Sequence, residues 1–325
     1  MKPFRIAIIG AGFSGVCMAI KLKAAGYLDF VVFERAAEIG GTWRDNTYPG
    51  CACDVPSHLY SYSFDLNPDW SRGFAPWHEI AAYLQRCVAR YGIGPHIRFK
   101  SDVRELRFDT AAQVWELTIG DGTVERFNAV VSGTGPLNKP DLPKIPGIET
   151  FRGAAFHSSH WDHEVVLDDK RVAVIGTGAS AIQIVPNIAE RTRQLHLFQR
   201  TPPWVLPRLD RAYHAWEKTL FRWLKPWNWV HRKLLYFRLE HFGVAVLNDG
   251  RTRRFFEGLG RWYIKKQIHD PALREKVTPR YRIGCKRALI SDDYYPSLNR
   301  SNVELVTDEI VGIRPTGVVT RDGRE

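Results

Sequence analysis

The sequence predicts an α/β fold in two domains, because one pattern of strand, glycine-containing turn, helix and strand occurs twice along the chain. The length of 325 residues is about twice that of a typical domain and leaves room for two cores. Hydrophobic residues at 44% and charged residues at 25% are ordinary for a globular protein and argue against disorder. Two folded α/β domains are therefore favoured over one small module.

The first copy of the pattern lies near the start of the chain. Residues 5–9 are Arg5 and four apolar residues, as in a buried parallel strand, residues 14–25 have helical periodicity up to Gly26, and residues 28–33 form a second strand. The turn between strand and helix contains Gly10, Gly12 and Gly15 in the spacing G-x-G-x-x-G. In this setting the spacing is typical of a Rossmann-like turn, whose backbone closely approaches the pyrophosphate of a dinucleotide.

The second copy begins at a strand over residues 171–175, followed by a helix over 179–190 and a strand over 194–198. Its turn contains Gly176, Gly178 and Ala181 in the same spacing. Alanine is permitted at the third position because that residue only has to be small enough for the helix to pack on the strand. The chain therefore contains two predicted dinucleotide sites.

The two copies differ at the end of their second strands. Glu34 and Arg200 each stand 24 positions after the first glycine of their own turn. A carboxylate at this place accepts hydrogen bonds from a ribose diol, whereas a guanidinium pairs with a 2′-phosphate. We predict FAD or NAD at the first site and NADP at the second.

The positive charge of the chain is concentrated in one region. Residues 208–287, called the basic region below, contain 20 Lys and Arg against 7 Asp and Glu, or +13, whereas the rest of the chain has a net charge of −2. The basic region also contains Trp216, Trp223, Trp227, Trp229 and Trp262. Its simplest interpretation is a solvated helical elaboration whose tryptophans pack inward; an anionic cofactor, an anionic membrane surface and nucleic acid are the alternatives. We expect no nucleic-acid binding, because no recognition motif accompanies the charge, and weak peripheral membrane contact is an open alternative.

A fainter repeat predicts how the two domains are connected. A strand over residues 97–108, a strand over 115–119 and a strand over 129–131 have a partial counterpart in strands over 303–306, 310–313 and 318–319. A linker rich in proline and glycine, residues 135–147, separates the copies. We predict a first nucleotide domain over 1–145, a second over 146–300 inserted within it, and the start of a returning segment of the first over 301–325. Because the strand expected next is absent, we interpret the chain as the front part of a longer protein or as a shortened relative.

Two further motifs resemble a known family. The first consists of Phe151, Gly153, His157, Trp161 and Asp162, ahead of the second glycine turn, and the second of Gly40, Gly41, Trp43, Tyr48, Pro49, Gly50 and Asp54. Both are similar to the signatures of Baeyer-Villiger monooxygenases, the class B flavoprotein monooxygenases. The resemblance extends over essentially the whole chain and implies two Rossmann-like domains, the NADP domain being inserted in the FAD domain.

The resemblance implies an enzyme that uses FAD and NADPH. NADPH reduces the flavin, O2 gives a C4a-peroxyflavin, and one oxygen is inserted beside the carbonyl of a small ketone, which forms an ester or lactone. A related flavin monooxygenase that oxidises nitrogen or sulfur is one alternative, and a shortened, non-catalytic nucleotide-binding protein is another. The substrate and the oligomeric state are left open.

The resemblance also implies roles for individual residues. Arg287 corresponds to the active-site arginine and Asp54 to the carboxylate that orients it, while Lys286 joins Arg200 and Thr201 on the 2′-phosphate of NADP. The residues implied for FAD, besides the glycines and Glu34, are Thr42, Trp43, Asp54, Tyr60 and, at the adenine end, Val103. Those implied for NADP are Gly176, Thr177, Gly178, Ala179, Ser180, Ala181 and Gln183. His157 is expected to be structural, and Cys51 and Cys53 are weak evidence for a metal, so no metal site is predicted.

The cysteines and the lengths of the apolar runs indicate the cellular compartment in which the protein is expected. The five cysteines are odd in number and irregularly spaced, which argues against a disulfide framework and favours a reducing compartment. No run reaches the roughly 18 uninterrupted apolar residues of a transmembrane helix. We therefore expect a cytoplasmic protein.

Overall fold

The computed structural model describes residues 4–137, 139–247 and 250–325. The chain divides into two compact units: the first unit comprises residues 1–47, 62–65 and 77–140, and the second comprises 48–61, 66–76 and 141–325. Residues 48–61 and 66–76 thus belong to the second unit, although the predicted first domain over 1–145 includes them. Among all the residues that the structure describes, no helix is long and apolar enough to cross a membrane.

The described residues of the first unit form seven strands and three α-helices. The strands are β1 (Ile6–Ile9), β2 (Phe30–Phe33), β3 (Ile97–Arg98), β4 (Val103–Asp109), β5 (Val114–Ile119), β6 (Val124–Phe127) and β7 (Ala129–Ser132). The helices are α1 (Phe13–Ala24), α2 (Thr42–Asp45) and α3 (Trp77–Arg90). A parallel sheet has the order β3-β2-β1-β7, and β4-β5-β6 form a separate antiparallel sheet.

The core of the first unit joins these two sheets. Ala7 and Phe33 of the parallel sheet pack with Leu117, Ile119 and Phe127 of the antiparallel sheet. The single strand expected over residues 97–108 is wrong: it is two strands, β3 and β4, that belong to different sheets. The break lies at Lys100, whose φ of 53° is incompatible with continuous extended backbone.

The second unit repeats the strand–turn–helix–strand arrangement. Its strands are β8 (Arg171–Ile175), β9 (Gln194–Phe198), β10 (Val205–Leu206), β11 (Leu289–Ile290), β12 (Val303–Val306), β13 (Ile310–Arg314) and β14 (Gly317–Thr320). Its helices are α4 (Ala181–Ile188), α5 (Ala215–Trp223), α6 (Lys225–Leu247), α7 (Arg251–Gln267), α8 (Pro271–Val277) and α9 (Tyr294–Leu298). A parallel sheet has the order β12-β9-β8, β10 pairs with β11, and β13 and β14 form a hairpin.

These two parallel sheets, each with a glycine turn and a helix after its first strand, confirm the predicted α/β fold. The last part of the chain differs from the assignment made for residues 301–325, since β12 pairs with β9 in the second sheet. The pairing has a simple cause, because β12 is an apolar strand that follows α9 directly and α9 packs beside α4 on that sheet. The boundaries of the predicted domains otherwise stay a prediction.

The basic region is largely helical, since α5 to α8 lie within it. It has its own core, in which Trp204, Leu206 and Ile283 are buried against Phe242, Val246 and Phe256. The expectation that its tryptophans pack inward is wrong: Trp216, Trp223, Trp227, Trp229 and Trp262 are all exposed. The buried tryptophan that anchors these helices is Trp204, whose Nε1 donates to the carbonyl of Tyr281 at 2.9 Å.

Candidate nucleotide-binding sites

The first glycine turn joins β1 to α1. Gly10 has a φ of +96°, and a side chain at Gly15 would overlap the carbonyl oxygen of Gly10, so both positions require glycine for the turn itself. Gly12 differs from them, since a Cβ there would meet only the Cα of Gly41, at 3.8 Å. The space beside Gly12 is therefore left open by the protein.

Glu34 ends β2 and is buried. Its Oε2 accepts a hydrogen bond from the amide of Ala11 at 2.9 Å, and its Oε1 accepts from the amide of Ala36 at 2.9 Å and from Nη1 of Arg44 at 3.0 Å. The carboxylate thus ties the end of β2 to the glycine turn and to α2. A carboxylate oxygen has two lone pairs, so Oε2 still has one acceptor position for a hydroxyl group.

The second glycine turn joins β8 to α4. Gly176 has a φ of +106°, and a Cβ at Gly178 would meet nothing within 4 Å. Ser180 precedes α4, follows Ala179 and makes no side-chain capping hydrogen bond, and the first turn of α4 contains no acidic residue. The amide groups at this helix end, like those of α1, suit an anion.

The residues predicted for the 2′-phosphate lie after β9 and before β11. Arg200 is exposed, and no carboxylate pairs with it in the described part of the chain. Thr201 is linked to the glycine turn, because its carbonyl accepts a hydrogen bond from Oγ1 of Thr177 at 3.3 Å. Lys286 is exposed, with Nζ 5.3 Å from the ring centre of Tyr281. Arg200 and Lys286 are thus two exposed cations of the second unit for which the described chain provides no carboxylate partner.

Gln183 is occupied by contacts inside the second unit. Its Oε1 accepts from the hydroxyl of Tyr48 at 3.0 Å, and its Nε2 donates to the carbonyl of Ala52 at 3.0 Å. A Cβ at Gly50 would lie 2.7 Å from the carbonyl of Gln183, so the chain also passes close to α4 there. In the structure Gln183 therefore fastens the segment around residues 48–52 to α4, a role that the sequence analysis did not anticipate.

Asp54 and Arg287 form an ion pair across 233 positions of sequence. Both belong to the second unit. The guanidinium is exposed, whereas the carboxylate is partly shielded. The structure thus brings together the two residues that the sequence analysis assigned to the chemistry.

Arg208 and Asp292 support this pair and were not singled out from the sequence. Nη2 of the half-buried Arg208 donates to the carbonyl of Cys53 at 3.2 Å, one residue before Asp54. The carboxylate of Asp292 accepts from the amides of Arg208, Leu209 and Asp210 at 2.8 to 3.0 Å. The only available sequence signal was the position of Asp292 five residues after Arg287.

The remaining predicted residues are divided between the two units. Thr42, Trp43 and Val103 lie in the first unit, and Tyr60 lies in the second. Trp43 is buried within α2, Thr42 is exposed at its start, and Val103 is partly buried at the start of β4.

Cys51, Cys53 and His157 have structural surroundings. Burial raises the pKa of the Cys51 thiol to about 11 and that of the Cys53 thiol to about 12, so both are protonated and poor nucleophiles at neutral pH. Nδ1 of His157 accepts from the amide of Ser159 at 3.1 Å and caps a short 3-10 helix.

Comparison with known proteins places these sites in context. The family model described as flavin-binding monooxygenase-like matches residues 3–234. A Baeyer-Villiger monooxygenase of Streptomyces coelicolor is 48% identical over 321 residues, which is 99% of this chain and 62% of that protein. A Baeyer-Villiger monooxygenase of Pseudomonas aeruginosa is 46% identical over 99% of this chain and 61% of its own length.

The chain is also similar to solved structures over nearly its whole length. The crystal structure of OTEMO in complex with FAD and NADP has a TM-score of 0.85 at 28% identity and covers 99% of this chain. This chain covers 69% of the OTEMO chain and about three fifths of the length of the two relatives above.

Proposed function

Because the chain belongs to the flavin-binding monooxygenase-like family, we propose that it forms the nucleotide-binding part of an FAD- and NADPH-dependent Baeyer-Villiger monooxygenase. The observation that carries the proposal is the pair of glycine turns whose strands end in opposite charges, Glu34 and Arg200. The reaction assigned to the whole protein is the conversion of a small ketone and O2 to an ester or lactone.

The residues of the first turn fit FAD. The absence of a side chain at Gly12, the extended backbone there and the uncapped start of α1 make a cradle that a Cβ would fill. The acceptor position left on Oε2 of Glu34 suits a ribose hydroxyl. Thr42, Trp43, Tyr60 and Val103 stay proposed contacts of the same cofactor.

The residues of the second turn fit NADPH rather than NADH. Gly178 leaves the approach to α4 open, and Arg200 carries a charge that no carboxylate of the described chain neutralises. An unpaired guanidinium binds a phosphate through charge-assisted hydrogen bonds, whereas a neutral ribose diol would make only a weak interaction with it. We propose that Arg200, Thr201 and Lys286 bind the 2′-phosphate, and that Gly176, Thr177, Gly178, Ala179, Ser180 and Ala181 follow the pyrophosphate.

FAD, when bound, takes a hydride from NADPH and provides the place where O2 is activated. The protein then has to stabilise the negative charge that develops as oxygen is transferred. We propose that Arg287 supplies this fixed positive charge and that Asp54 is the positioning residue that holds its guanidinium. The polar supports of the pair, Arg208 and Asp292, keep the backbone before Asp54 in place.

Cofactor content tests the proposal first. Full-length protein is purified and its absorbance recorded, then mixed anaerobically with NADPH or NADH. The expected result is a bound flavin that NADPH bleaches faster than NADH. A colourless protein that binds neither nucleotide would overturn the proposal.

Product analysis then tests the reaction. A panel of ketones, amines and sulfides is incubated with the protein, NADPH and O2, and products are identified by mass spectrometry. Esters or lactones are expected. Oxidation of amines or sulfides alone would favour the heteroatom-oxidising alternative.

The variant Arg287→Ala tests the role of the arginine. Loss of one preorganised charge at a developing anion lowers the rate by about a hundredfold to a thousandfold. We expect unchanged flavin content and reduction by NADPH, loss of ester, and release of hydrogen peroxide instead. Asp54→Asn should give a smaller loss of the same kind, and normal ester yield in Arg287→Ala would remove the arginine from the reaction.

We also propose a reducing, cytoplasmic location, which the five cysteines without a disulfide partner in the structure support. Titration of the unfolded protein with a thiol reagent, without added reductant, should find all five thiols of this sequence. Protected thiols that appear only after reduction would contradict it.

A further inference from the structure

Helix α6 has two apolar faces, and only one of them is buried. On the buried face, Nδ1 of His58 lies 3.2 Å from Oδ1 of Asn228, Arg232 donates to the carbonyls of His58 and Leu59, and Phe242 packs against the Trp204 cluster. These contacts hold the helix against the rest of the second unit through one face only.

The other face carries Trp227, Val230, Leu234 and Phe237, which we call the exposed stripe. Their spacing of three, four and three residues places them on one side of the helix. Their exposed fractions are 38%, 39%, 59% and 63%. The stripe extends over eleven residues, from Trp227 to Phe237, or about 15 Å along the helix axis. Contiguous apolar surface of this kind marks an interaction site rather than ordinary surface.

The preceding helix adds exposed aromatic residues. Trp216 and Trp223 stand seven residues apart, on one side of α5, and are 65% and 80% exposed. Tryptophan prefers the boundary between acyl chains and headgroups, because its ring is apolar and its N–H still reaches water or phosphate. Two such side chains held in solvent therefore favour a lipid surface.

The charge around these residues has the sign that an anionic membrane requires. Residues 215–247 contain six Lys and Arg against two Glu. One of the two acids, Glu217, is paired with Arg211 at 2.6 Å, and one of the six cations, Arg222, is paired with Asp69, so the excess of four positive charges is unchanged. Lysine is depleted from protein interfaces but attracts anionic headgroups, and three of the six cations are lysines. A second copy of the chain would bring the same positive charge to the contact and be repelled.

We propose that the exposed stripe of α6, with Trp216 and Trp223 of α5, is a peripheral docking surface for an anionic lipid bilayer. The apolar side chains enter the boundary between headgroups and acyl chains, and the lysines Lys218, Lys225 and Lys233 bind lipid phosphates. The surface goes beyond the proposed oxidation reaction: it would hold the enzyme where apolar ketones accumulate.

Vesicle flotation tests the proposal. The purified full-length protein is mixed with phosphatidylcholine vesicles, with or without phosphatidylglycerol, and the bound fraction is measured. We expect binding only to the anionic vesicles, weakening as salt is raised. The double variant Leu234→Gln/Phe237→Gln should bind at least about tenfold more weakly, because two apolar side chains no longer enter the lipid.

Two further variants separate charge from apolar burial. Lys225→Gln and Lys233→Gln should each weaken binding about fivefold at low salt. The matched control is Leu28→Gln/Val166→Gln, which removes two apolar side chains of similar exposure, 61% and 62%, outside the basic region. It should bind vesicles as the unmodified protein does. Circular dichroism and flavin content check that every variant is folded.

Four outcomes would overturn the proposal. They are no binding to either vesicle, equal binding to neutral and anionic vesicles, unchanged binding by the stripe variant, and equal losses in the stripe variant and the control. A fifth outcome comes from light scattering after size exclusion. If the unmodified protein were a dimer that does not bind vesicles, and the stripe variant were a monomer, the face would be assigned to a second copy. A DNA duplex that binds while vesicles do not would assign the charge to nucleic acid.

Discussion

The two glycine turns share a positive φ at their first glycine, +96° at Gly10 and +106° at Gly176, but the surrounding protein packs against them to different extents. At the first turn Gly15 is required, since its Cβ would overlap the oxygen of Gly10, whereas the equivalent Ala181 is accommodated at the second. At the ends of the second strands, Glu34 is buried with three hydrogen-bond donors, whereas Arg200 is exposed and unpaired in the described chain. Glu34 is thus part of the hydrogen bonding that holds the first unit together, whereas Arg200 has no such structural partner in the described chain, which fits the proposed exchange of NADPH at the second turn.

The difference between the buried Glu34 and the exposed Arg200 fits the different roles proposed for the two nucleotides. A cofactor that stays bound through many turnovers is compatible with a carboxylate that also stabilises the protein. A nucleotide that is exchanged suits a cation that the fold can do without. The comparison therefore predicts that a change of Glu34 alters stability and flavin content together, while a change of Arg200 alters nucleotide binding alone.

The largest effect is expected from the third position of each turn. Gly15→Ala forces a methyl group into the carbonyl of Gly10 and should lower the free energy of unfolding by about 3 kcal/mol or more. Its counterpart Ala181→Gly removes a methyl group and should lower it by only about 1 kcal/mol. Urea denaturation measures both, and equal losses would show that the two turns are packed alike.

The charged residues at the strand ends come next. Arg200→Gln should weaken NADPH binding by about tenfold to a hundredfold, or roughly 1.5 to 3 kcal/mol, and leave NADH binding and stability unchanged. Glu34→Gln should lower the free energy of unfolding by about 1 to 3 kcal/mol, because Arg44 loses the more buried of its two charged partners and keeps only Asp45. Calorimetric titration and urea denaturation measure these effects. A destabilised Arg200→Gln would contradict the proposed division of roles.

The central glycines allow each site to be blocked without harming the turn. Gly12→Ala should weaken FAD retention at least about tenfold and leave NADPH binding intact, since the new methyl group meets only space that the cofactor would fill. Gly178→Ala should do the reverse, so each variant is the control for the other. A Gly12→Ala protein that purifies with its full complement of flavin would move the FAD site away from this turn.

The effect that is smallest at neutral pH concerns the stability of the second unit in acid. Burial lowers the pKa of His58 to about 3, and the neighbouring His231 and Arg232 act in the same direction, against Asn228 and Glu217. The unfolded side chain binds a proton near pH 6.5, so stability is fully present above that pH and is lost as pH falls from 6.5 towards 3. His58→Gln should reduce this slope by up to about 1.4 kcal/mol per pH unit. Identical slopes, measured by urea denaturation between pH 6 and 4, would mean that His58 is already charged in the folded protein.

Much of the fold could be read from local sequence. Strands β8 and β9 have the predicted bounds, and α1 and α4 begin within two residues of those predicted. These elements rest on apolar periodicity and on glycines whose backbone angles no other residue adopts readily. The break at Lys100 was missed because it depends on β3 and β4 joining different sheets, which no local pattern records.

The candidate site was less predictable. The pairing of Asp54 with Arg287 was implied only by the resemblance, since 233 positions separate the two residues. The link from Gln183 to Ala52 had no sequence signal, and the support of Arg208 by Asp292 had only the position of Asp292 five residues after Arg287, because each contact depends on loops that the fold brings together. The hydrogen bonds of Glu34 to the first glycine turn and to α2 could not be predicted either, because they also depend on how separate segments pack.

The sequence by itself determined that this chain contains two Rossmann-like turns and which charge ends each second strand, because those properties depend on residues within about 30 positions of each other. Tertiary structure alone decided that Glu34 is buried while Arg200 is open, and that the tryptophans of α5 and α6 face solvent. Burial depends on which distant segments cover a side chain. A helix with two apolar faces, such as α6, does not record in its own sequence which of them the rest of the chain will cover.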